Sequence, residues 1–525
     1  VNNALSPLQD PLIGITPLYL IAMAFLLTAL GLVIKDNRFF KAFAVTNIAI
    51  VLAISTYILW KAVKNGIQLY FFGGYPAPLG ITYEIDELNA LLGLLATSIM
   101  FLSGIYSIWY MKYPRAYLYY TLMLALLAGS LGCLYTGDYF NFFVMLEVLS
   151  LSAYALVAYF RDSPRSIEAA IRFAFIGIVS SGFYLLSAFI AYASYGTLTM
   201  ADIALKARHL DATVPLSGGV VGNIVMASAM MIALATWTWT FKAAIFPNYF
   251  WLPDAVPEAP TPISAIFVGV IDLIGVYGAI RMFYTLFGQN TVISHFRPYI
   301  FAVLQVLGAI SVILGALLLL IQEDIKKFIA YSTISHLGLI FMALSLDTAD
   351  GVSASILHTI SNSLAESLLF YSAGIAIVAT GRSIDTLGAL RKYRVALIGI
   401  IVAILNLIGL PPLVGFWSKY LIFKAFLDTG RIYGVIVLVL ATGISAVGYF
   451  RILFNAFRTV DKVKEDPRLR NTALADITIV LCIATLIAVG LLYMLNPVVR
   501  EFISGVGYRT VYECKTYYEF LSSSP

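Results

Sequence analysis

Fourteen apolar stretches, near residues 18–34, 40–60, 88–110, 116–136, 139–160, 169–195, 223–246, 262–287, 299–321, 328–347, 352–380, 396–427, 432–456 and 474–496, constrain this chain more than any other feature. A hydrocarbon core ~30 Å thick is crossed by roughly 20 residues of helix. Lipid offers no partner to a free backbone N–H or C=O, so such segments fold as helices that satisfy their own hydrogen bonds. With 61% of its 525 residues hydrophobic and 12% charged, the chain falls outside the composition of soluble domains. The expected fold class is an all-α polytopic membrane protein with about fourteen transmembrane helices.

The stretch at 18–34 has no basic region before it and no small-residue cleavage site after it, and reads as a spanning helix rather than a signal peptide. Lys and Arg in short loops mark the cytoplasmic side. One alternating set of loops holds Lys35, Arg38 and Lys41; Lys112 and Arg115; Arg161 and Arg165; Lys326 and Lys327; Arg382, Arg391, Lys392 and Arg394; and Arg458, Lys462, Lys464, Arg468 and Arg470. The opposite set is poorer, which places both termini on the outer face. Cys133, Cys482 and Cys514 have no metal-ligand spacing, so neither a disulfide framework nor an Fe-S cluster is implied. No nucleic-acid partner is implied either, and the lipid bilayer is the medium.

Between the second and third spans, "LYFFGGYPAPLGITYEIDELN" alternates aromatic and β-branched residues around Gly-Gly and two prolines, the pattern of a small external hairpin near 68–87. Two spans are interrupted: the seventh at Pro247 and Pro253, the twelfth at Pro411 and Pro412. Proline removes a helix hydrogen bond and clashes with the preceding turn, so each should break its helix in or near the membrane. Each break has its own lysine, Lys242 before the first and Lys419 after the second, as a reversed orientation would give. Paired broken helices suggest two inverted five-helix repeats. The expected organisation is residues 1–110 for helices one to three, 116–287 for the first repeat (helices four to eight), 299–456 for the second (helices nine to thirteen), and 474–525 for the last helix and tail.

An ionisable side chain deep in a bilayer costs several kcal/mol and needs a partner, a wet cavity or a function. Glu147 lies eight residues after Tyr139, about 12 Å along its helix, too deep for a carboxylate to reach water. Lys242 is internal if a second half-helix follows Pro247; otherwise its long stem reaches the interface. His336 sits mid-span with Ser332 at i−4 and Thr333 at i−3, either hydroxyl able to satisfy a neutral imidazole. His358, Asn362 and Glu366 repeat at i, i+4 and i+8, one polar stripe with members about 6 Å apart. Such a stripe is either a proton wire with interposed waters or a structural seam. Asp272 lies ten residues into the eighth span, and Lys419 follows the Pro-Pro break. A lysine near a carboxylate keeps its proton and tends to lose it when the pair opens, so a Glu147–Lys242 pair would act as a switch.

The motifs "FKAAIFPNYFWLPDAVPEAPTPISA", "GDYFNFFVMLEVLSLSAYALVAY", "EDIKKFIAYSTISHLGLIFMALS", "HTISNSLAESLLFYSAG" and "LIGLPPLVGFWSKYLIF" resemble the antiporter-like membrane subunits. These are the D and A subunits of Mrp cation/proton antiporters, the proton-pumping subunits of complex I, and their equivalents in membrane-bound hydrogenases. The resemblance runs from about residue 70 to 460, and it implies a fourteen-helix fold with inverted repeats and a central polar axis. By motif, Glu147 corresponds to the fifth-helix glutamate, Lys242 to the lysine of the broken seventh helix, His336 to the tenth-helix histidine, His358 to the first histidine of the eleventh helix, and Lys419 to the lysine of the broken twelfth. Two positions depart from the pattern: Leu273, with Asp272 beside it, stands where many relatives have an eighth-helix lysine, and Glu366 stands where they commonly have an eleventh-helix lysine. Asp272 and Glu366 are read as replacing the lost sites, as proton carriers or as a cation-binding pair.

What the resemblance implies is an ion-translocating subunit, for protons, sodium or both, of a multisubunit antiporter or redox-driven complex. Its partners would be other membrane subunits and, in the redox case, peripheral Fe-S or Ni-Fe subunits. The chain itself carries no cofactor motif and no soluble catalytic domain, so no redox chemistry of its own is expected. A non-pumping scaffold of the same kind of complex and a self-sufficient cation/proton antiporter remain as alternatives.

Overall fold

The computed structural model describes residues 10–112, 115–209, 223–460, 464–513, 517–518 and 521, so Lys462 and Cys514 lie outside the described residues. Thirteen helices among these are long and apolar enough to cross a membrane. The fourteenth crossing is the interrupted twelfth span, made of Arg394–Ile408 and Val414–Asp428. Observed spans agree with the apolar stretches to within a few residues, apart from the first, which begins seven residues earlier and runs Pro11–Val33. The expected hairpin is present: Gln68–Phe71 pairs antiparallel with Thr82–Ile85, Gln68 opposite Ile85.

Helix starts coincide with short polar residues that accept from the first free backbone N–H groups. Asp86 caps the third span (Glu87–Tyr110) in a capping box with Asn89. Asp138 caps the fifth (Tyr139–Val157), Asp324 the tenth (Ile325–Leu344) and Thr348 the eleventh (Ala349–Ala379). That helix boundary corrects one expectation. Lys326 belongs to the first turn of the tenth span rather than to a loop, is buried, and donates to the Ala259 carbonyl at 2.6 Å and to Ser264 Oγ at 3.1 Å.

Burial identifies the centre of the bundle. The most apolar windows of the eighth (Thr261–Leu286), tenth and eleventh spans are 100, 89 and 94% buried, against 33–39% for the first, second and sixth. The eighth, tenth and eleventh therefore form the axis around which the others stand.

Backbone ties around spans four to six, the first unit, recur around spans nine to eleven, the second. In the first unit, Tyr139 N–H donates to the Leu198 carbonyl at 2.7 Å and Met200 N–H to the Gly137 carbonyl at 2.8 Å. In the second, Ile325 N–H donates to the Arg382 carbonyl and Ile384 N–H to the Glu323 carbonyl, both at 2.9 Å. Each pair ties the start of a unit's second helix to the segment after its third, and an odd number of crossings separates the two ties.

The leading helices of each unit also pack alike, through glycine. Helices in lipid gain little from hydrophobic burial and associate where small residues let backbones approach. A Cβ on Gly129 of the fourth span (Ala116–Tyr135) would lie 2.5 Å from Leu149 N. On Gly315 of the ninth (Arg297–Leu320) it would lie 2.6 Å from Ser335 N.

Two elements were not anticipated. Met200–Arg208 is a short helix of mixed polarity, and Pro497–Tyr512, within the expected tail, is a helix packed on the start of the eleventh span, where Gly507 abuts Ala349 and Ser353. Neither has the apolar length that marks a span.

Candidate functional site

Both expected breaks are present, the first at Pro247 but not at Pro253, which sits in the first turn of the resumed helix where a missing N–H costs nothing, and each is closed by side chains that take up freed carbonyls. The seventh span runs Ile224–Lys242, leaves helical geometry, and resumes at Trp251–Glu258. The Trp251 indole N–H donates to the Phe241 carbonyl at 2.7 Å. In the twelfth span the first half ends at Ile408, with Gly409 at φ 94°. Lys419 Nζ there donates to the Leu407 carbonyl at 2.7 Å and to Thr442 Oγ1 at 3.2 Å. An ammonium at a helix C-terminus complements both the unpaired carbonyls and the negative end of the dipole.

At the other end of the axis, Lys242 is 1% exposed and donates to Ser150 Oγ at 2.6 Å. Ser150 is one turn beyond Glu147 on the fifth span, so the lysine lies on the same stretch of that helix as the carboxylate. They do not form an ion pair within 4.0 Å among the described residues: Glu147 Oε1 is buried with no hydrogen-bond partner. Glu147 itself is half-buried rather than enclosed, at the edge of an exposed face carrying Phe140, Val144 and Leu151. Lys419 is half-buried in the same way. The Glu147 and Lys419 ends of this set of residues thus reach the flanks of the bundle.

The middle contains one continuous hydrogen-bonded chain. Ser332 Oγ donates to Glu366 Oε1 at 2.6 Å and lies 2.5 Å from the Tyr449 hydroxyl. That hydroxyl is 3.2 Å from His336 Nε2. His336 Nδ1 is 3.1 Å from His358 Nε2, and His358 Nδ1 is 2.9 Å from Ser418 Oγ. Ser418 immediately precedes Lys419. Every member is buried, and the chain draws on the tenth, eleventh, twelfth and thirteenth spans.

This arrangement revises one expectation. His336 is satisfied by His358 and Tyr449, not by the hydroxyls of Ser332 or Thr333. Along the polar stripe of the eleventh span, His358 and Glu366 bond sideways to neighbouring helices rather than to each other, and Asn362 Oδ1 is buried with no partner among the described residues. Tyr449 and Ser418, which sequence patterning did not single out, complete the connection. Ser418 carried a weak signal in its place beside Lys419; Tyr449, in an ordinary apolar span, carried none.

Asp272 lies between the two ends. It is 1% exposed, follows a π-helical turn at Phe267–Ile271, and has both carboxylate oxygens without a partner among the described residues. Wider turns of this kind recur at functional positions in helices. Leu273 points no charge into the axis, and among the described residues no hydrogen-bonded chain connects Lys242 with Glu366.

After the first break, Glu258 is held by Arg382 at 2.9 Å, and Asp254 is exposed with Arg172 3.7 Å away. Cys133 and Cys482 are buried free thiols, and no group of three or more His, Cys, Asp and Glu side chains is placed to hold a metal among the described residues.

Comparison with known proteins agrees with this architecture. Residues 136–445 match the family model described as NADH:quinone oxidoreductase/Mrp antiporter, TM. NADH-quinone oxidoreductase subunit N of Desulforudis audaxviator is 32% identical over 455 residues, 85% of this chain and 86% of that protein. The D-type subunit of the Na(+)/H(+) antiporter of Bacillus subtilis is 28% identical over 441 residues, 83% of this chain and 85% of its own. A chain of the membrane-bound sulfane sulfur reductase, an archaeal respiratory membrane complex, superposes with a TM-score of 0.86 at 26% identity, covering 97% of this chain and 99% of that one.

Proposed function

The chain belongs to the NADH:quinone oxidoreductase/Mrp antiporter family of membrane subunits, and on that premise we propose that it is the ion-translocating subunit of a multisubunit antiporter or redox-driven complex, moving protons along Glu147, Lys242, Asp272, Glu366, His336, His358 and Lys419. The observation that carries this reading is the unbroken chain from Glu366 to Ser418.

The chain has two self-consistent orientations. With Glu366 ionised, Ser332 donates to it, Tyr449 to Ser332, His336 Nε2–H to Tyr449, His358 Nε2–H to His336 Nδ1, and Ser418 to His358 Nδ1. A proton supplied at the Ser418 end drives one hop at each link. Ser418 passes its proton to His358 Nδ1, His358 passes its Nε2 proton to His336 Nδ1, His336 passes its Nε2 proton to Tyr449, and Tyr449 and Ser332 each pass theirs onward. The last proton lands on Glu366. Both imidazoles change tautomer and neither stays charged, which suits groups sealed in a low-dielectric interior.

Lys419 adds a means of control. It follows Ser418 directly in the chain, and an ammonium there opposes a second positive charge entering the hydrogen-bonded path. Loss or displacement of that charge eases proton entry, so a change at the flank of the bundle alters the wire. Glu147 and Lys242 have the same relation at the opposite flank, where opening of their shared site frees the lysine proton. Half-burial at both ends suits contact with adjoining membrane subunits, which would pass such a change from one chain to the next. The same reading divides the chain at 1–110, 116–287, 299–456 and 474–525, and sets both termini on the outer face.

The test is coupled ion movement by the assembled complex in reconstituted vesicles. Glu147→Gln and Lys242→Ala should each abolish it while the complex still assembles. Full coupling in both variants would refute translocation by this axis and leave the chain as a scaffold.

A further inference from the structure

From the niche under the hairpin we infer, independently of the translocation reading, that Glu84 is a proton-binding site outside the axis, and that its proton fastens the hairpin to the turn between the fourth and fifth spans.

The hairpin, the eighth span and that turn close around the Glu84 side chain. Glu84 is on the second hairpin strand, Thr82–Ile85, and is 1% exposed. Side chains two apart on an extended chain point the same way. Asp86 continues the strand with φ −106° and ψ −176°, so it lies on the same side as Glu84. Asp86 in turn pairs with Arg281 of the eighth span at 2.7 Å. On the other flank is Gly137, where a Cβ would lie 3.0 Å from Glu84 Oε2 and 3.2 Å from Glu84 Cβ. Gly137 N–H donates to the Thr82 carbonyl at 2.8 Å, and Tyr83 forms an antiparallel bridge with Thr136. The carboxyl group thus sits in the seam where the hairpin meets the first unit.

Its charge state follows from its neighbours. Glu84 and Asp86 have one guanidinium between them, and Arg281 is engaged. Besides its pair with Asp86, it donates through Nε to the Tyr277 hydroxyl at 2.9 Å and stands over the rings of Tyr277 and Tyr517, both at 5.2 Å. Neither oxygen of Glu84 has a hydrogen bond of ordinary geometry among the described residues. A buried carboxylate without a partner costs far more than a neutral carboxyl, so the stable form of the trio is one ion pair and one proton. Burial pushes the Glu84 carboxyl well above the usual carboxylate range; Arg281 pulls it back, Asp86 adds to the rise, and the Tyr517 hydroxyl opposes it. Other charged groups around the niche are engaged elsewhere, Glu87 with Arg509 and Asp138 with the Asn141 N–H.

Solvent supplies the proton. A cavity of about 140 Å³ is lined by Asp86, Arg281, Thr285, Arg509, Glu513 and Tyr517. Arg509 and Glu513 are exposed, so water reaches the Asp86–Arg281 pair, two residues along the strand from Glu84. On ionisation the O–H bond of Glu84 breaks, the proton passes to this water, and an unpaired anion is left against the Gly137 turn. That anion draws Arg281 from Asp86 or pulls water into the seam, and either loosens the tie between Thr82 and Gly137.

Infrared spectroscopy and amide hydrogen exchange on the purified full chain test the site. At pH 7 the wild type should show a protonated-carboxyl stretch that Glu84→Gln lacks. Asp86→Asn keeps a good helix cap but leaves Arg281 to Glu84, so the same band should vanish although Glu84 is present. Exchange at the Gly137 amide, corrected for its intrinsic pH dependence, should rise about tenfold or more between pH 7 and pH 10 in the wild type and stay flat in Glu84→Gln. Identical carboxyl spectra in the wild type and Glu84→Gln, retention of the band in Asp86→Asn, or a pH-independent Gly137 amide in the wild type would each overturn the inference.

Discussion

Replacing Tyr449 by Phe removes a single oxygen from the centre of the bundle. The side chain is 1% exposed, and its ring meets Phe328 edge-on at 5.7 Å, a packing that phenylalanine keeps. The lost oxygen is the node between Ser332 Oγ at 2.5 Å and His336 Nε2 at 3.2 Å. Its removal leaves Ser332 and His336 each one partner short, a cost of about 1–3 kcal/mol, which a well-packed membrane bundle should survive. The vacated oxygen volume is too small to admit a replacement water, which needs roughly 10–15 Å³ of probe-occupied space and two or more polar partners. The wire is therefore cut rather than lengthened. Loss of a positioned proton donor-acceptor typically lowers rates by about 10²–10⁴, and a hundredfold loss is about 2.7 kcal/mol of barrier.

The assay is pH-dye quenching in vesicles containing the assembled complex. Coupled proton movement should fall about a hundredfold or more in Tyr449→Phe. Tyr433→Phe, in the same span, removes a hydroxyl bonded to Gln305 away from the axis and should transport at the wild-type rate. A Tyr449→Phe complex that assembles normally and pumps within twofold of wild type would refute conduction through this chain.

Other perturbations probe the scaffold around the axis. Gly315→Ala would press a methyl against Ser335 N at 2.6 Å and the Tyr331 carbonyl at 2.8 Å, so thermal unfolding in detergent should show a loss of about 1–3 kcal/mol. Gly275→Ala would meet Ala243 N at 2.5 Å and the carbonyl carbon of Lys242 at 2.9 Å, displacing the lysine; coupled transport should fall by more than stability does. Burial pushes the Asp138 carboxyl, at the cap of the fifth span, up to about 6, although the Asn141 N–H bond opposes the shift. A carboxyl raised above its unfolded value of about 3.9 weakens the fold as pH climbs from about 4 to 6, and the weakening persists above that. Asp138→Asn keeps a good cap and should therefore raise the unfolding temperature at pH 7.5 and leave it unchanged below pH 4.

Apolar runs of bilayer length determined the spans, because a membrane leaves a hydrophobic segment only one economical backbone solution. Pro247, Pro411 and Pro412 likewise determined where two of those helices break, since the missing N–H and the ring clash act locally. The hairpin followed from its turn residues, and the mid-span place of His336 followed from counting along a helix. What connects these residues was not legible in the same way. Lys242 finds Ser150 rather than Glu147, Glu366 finds Ser332, and the two histidines meet each other and Tyr449. A buried side chain takes its partner from whichever helix packs beside it, and that choice depends on close glycine contacts between spans far apart in the chain. Periodicity on one helix records which face is polar; it carries no information about the hydroxyl that a neighbouring helix brings to that face. Local physics thus set the helices and their breaks from the sequence alone, and only the tertiary packing decided which polar groups touch, and so which of them can exchange a proton.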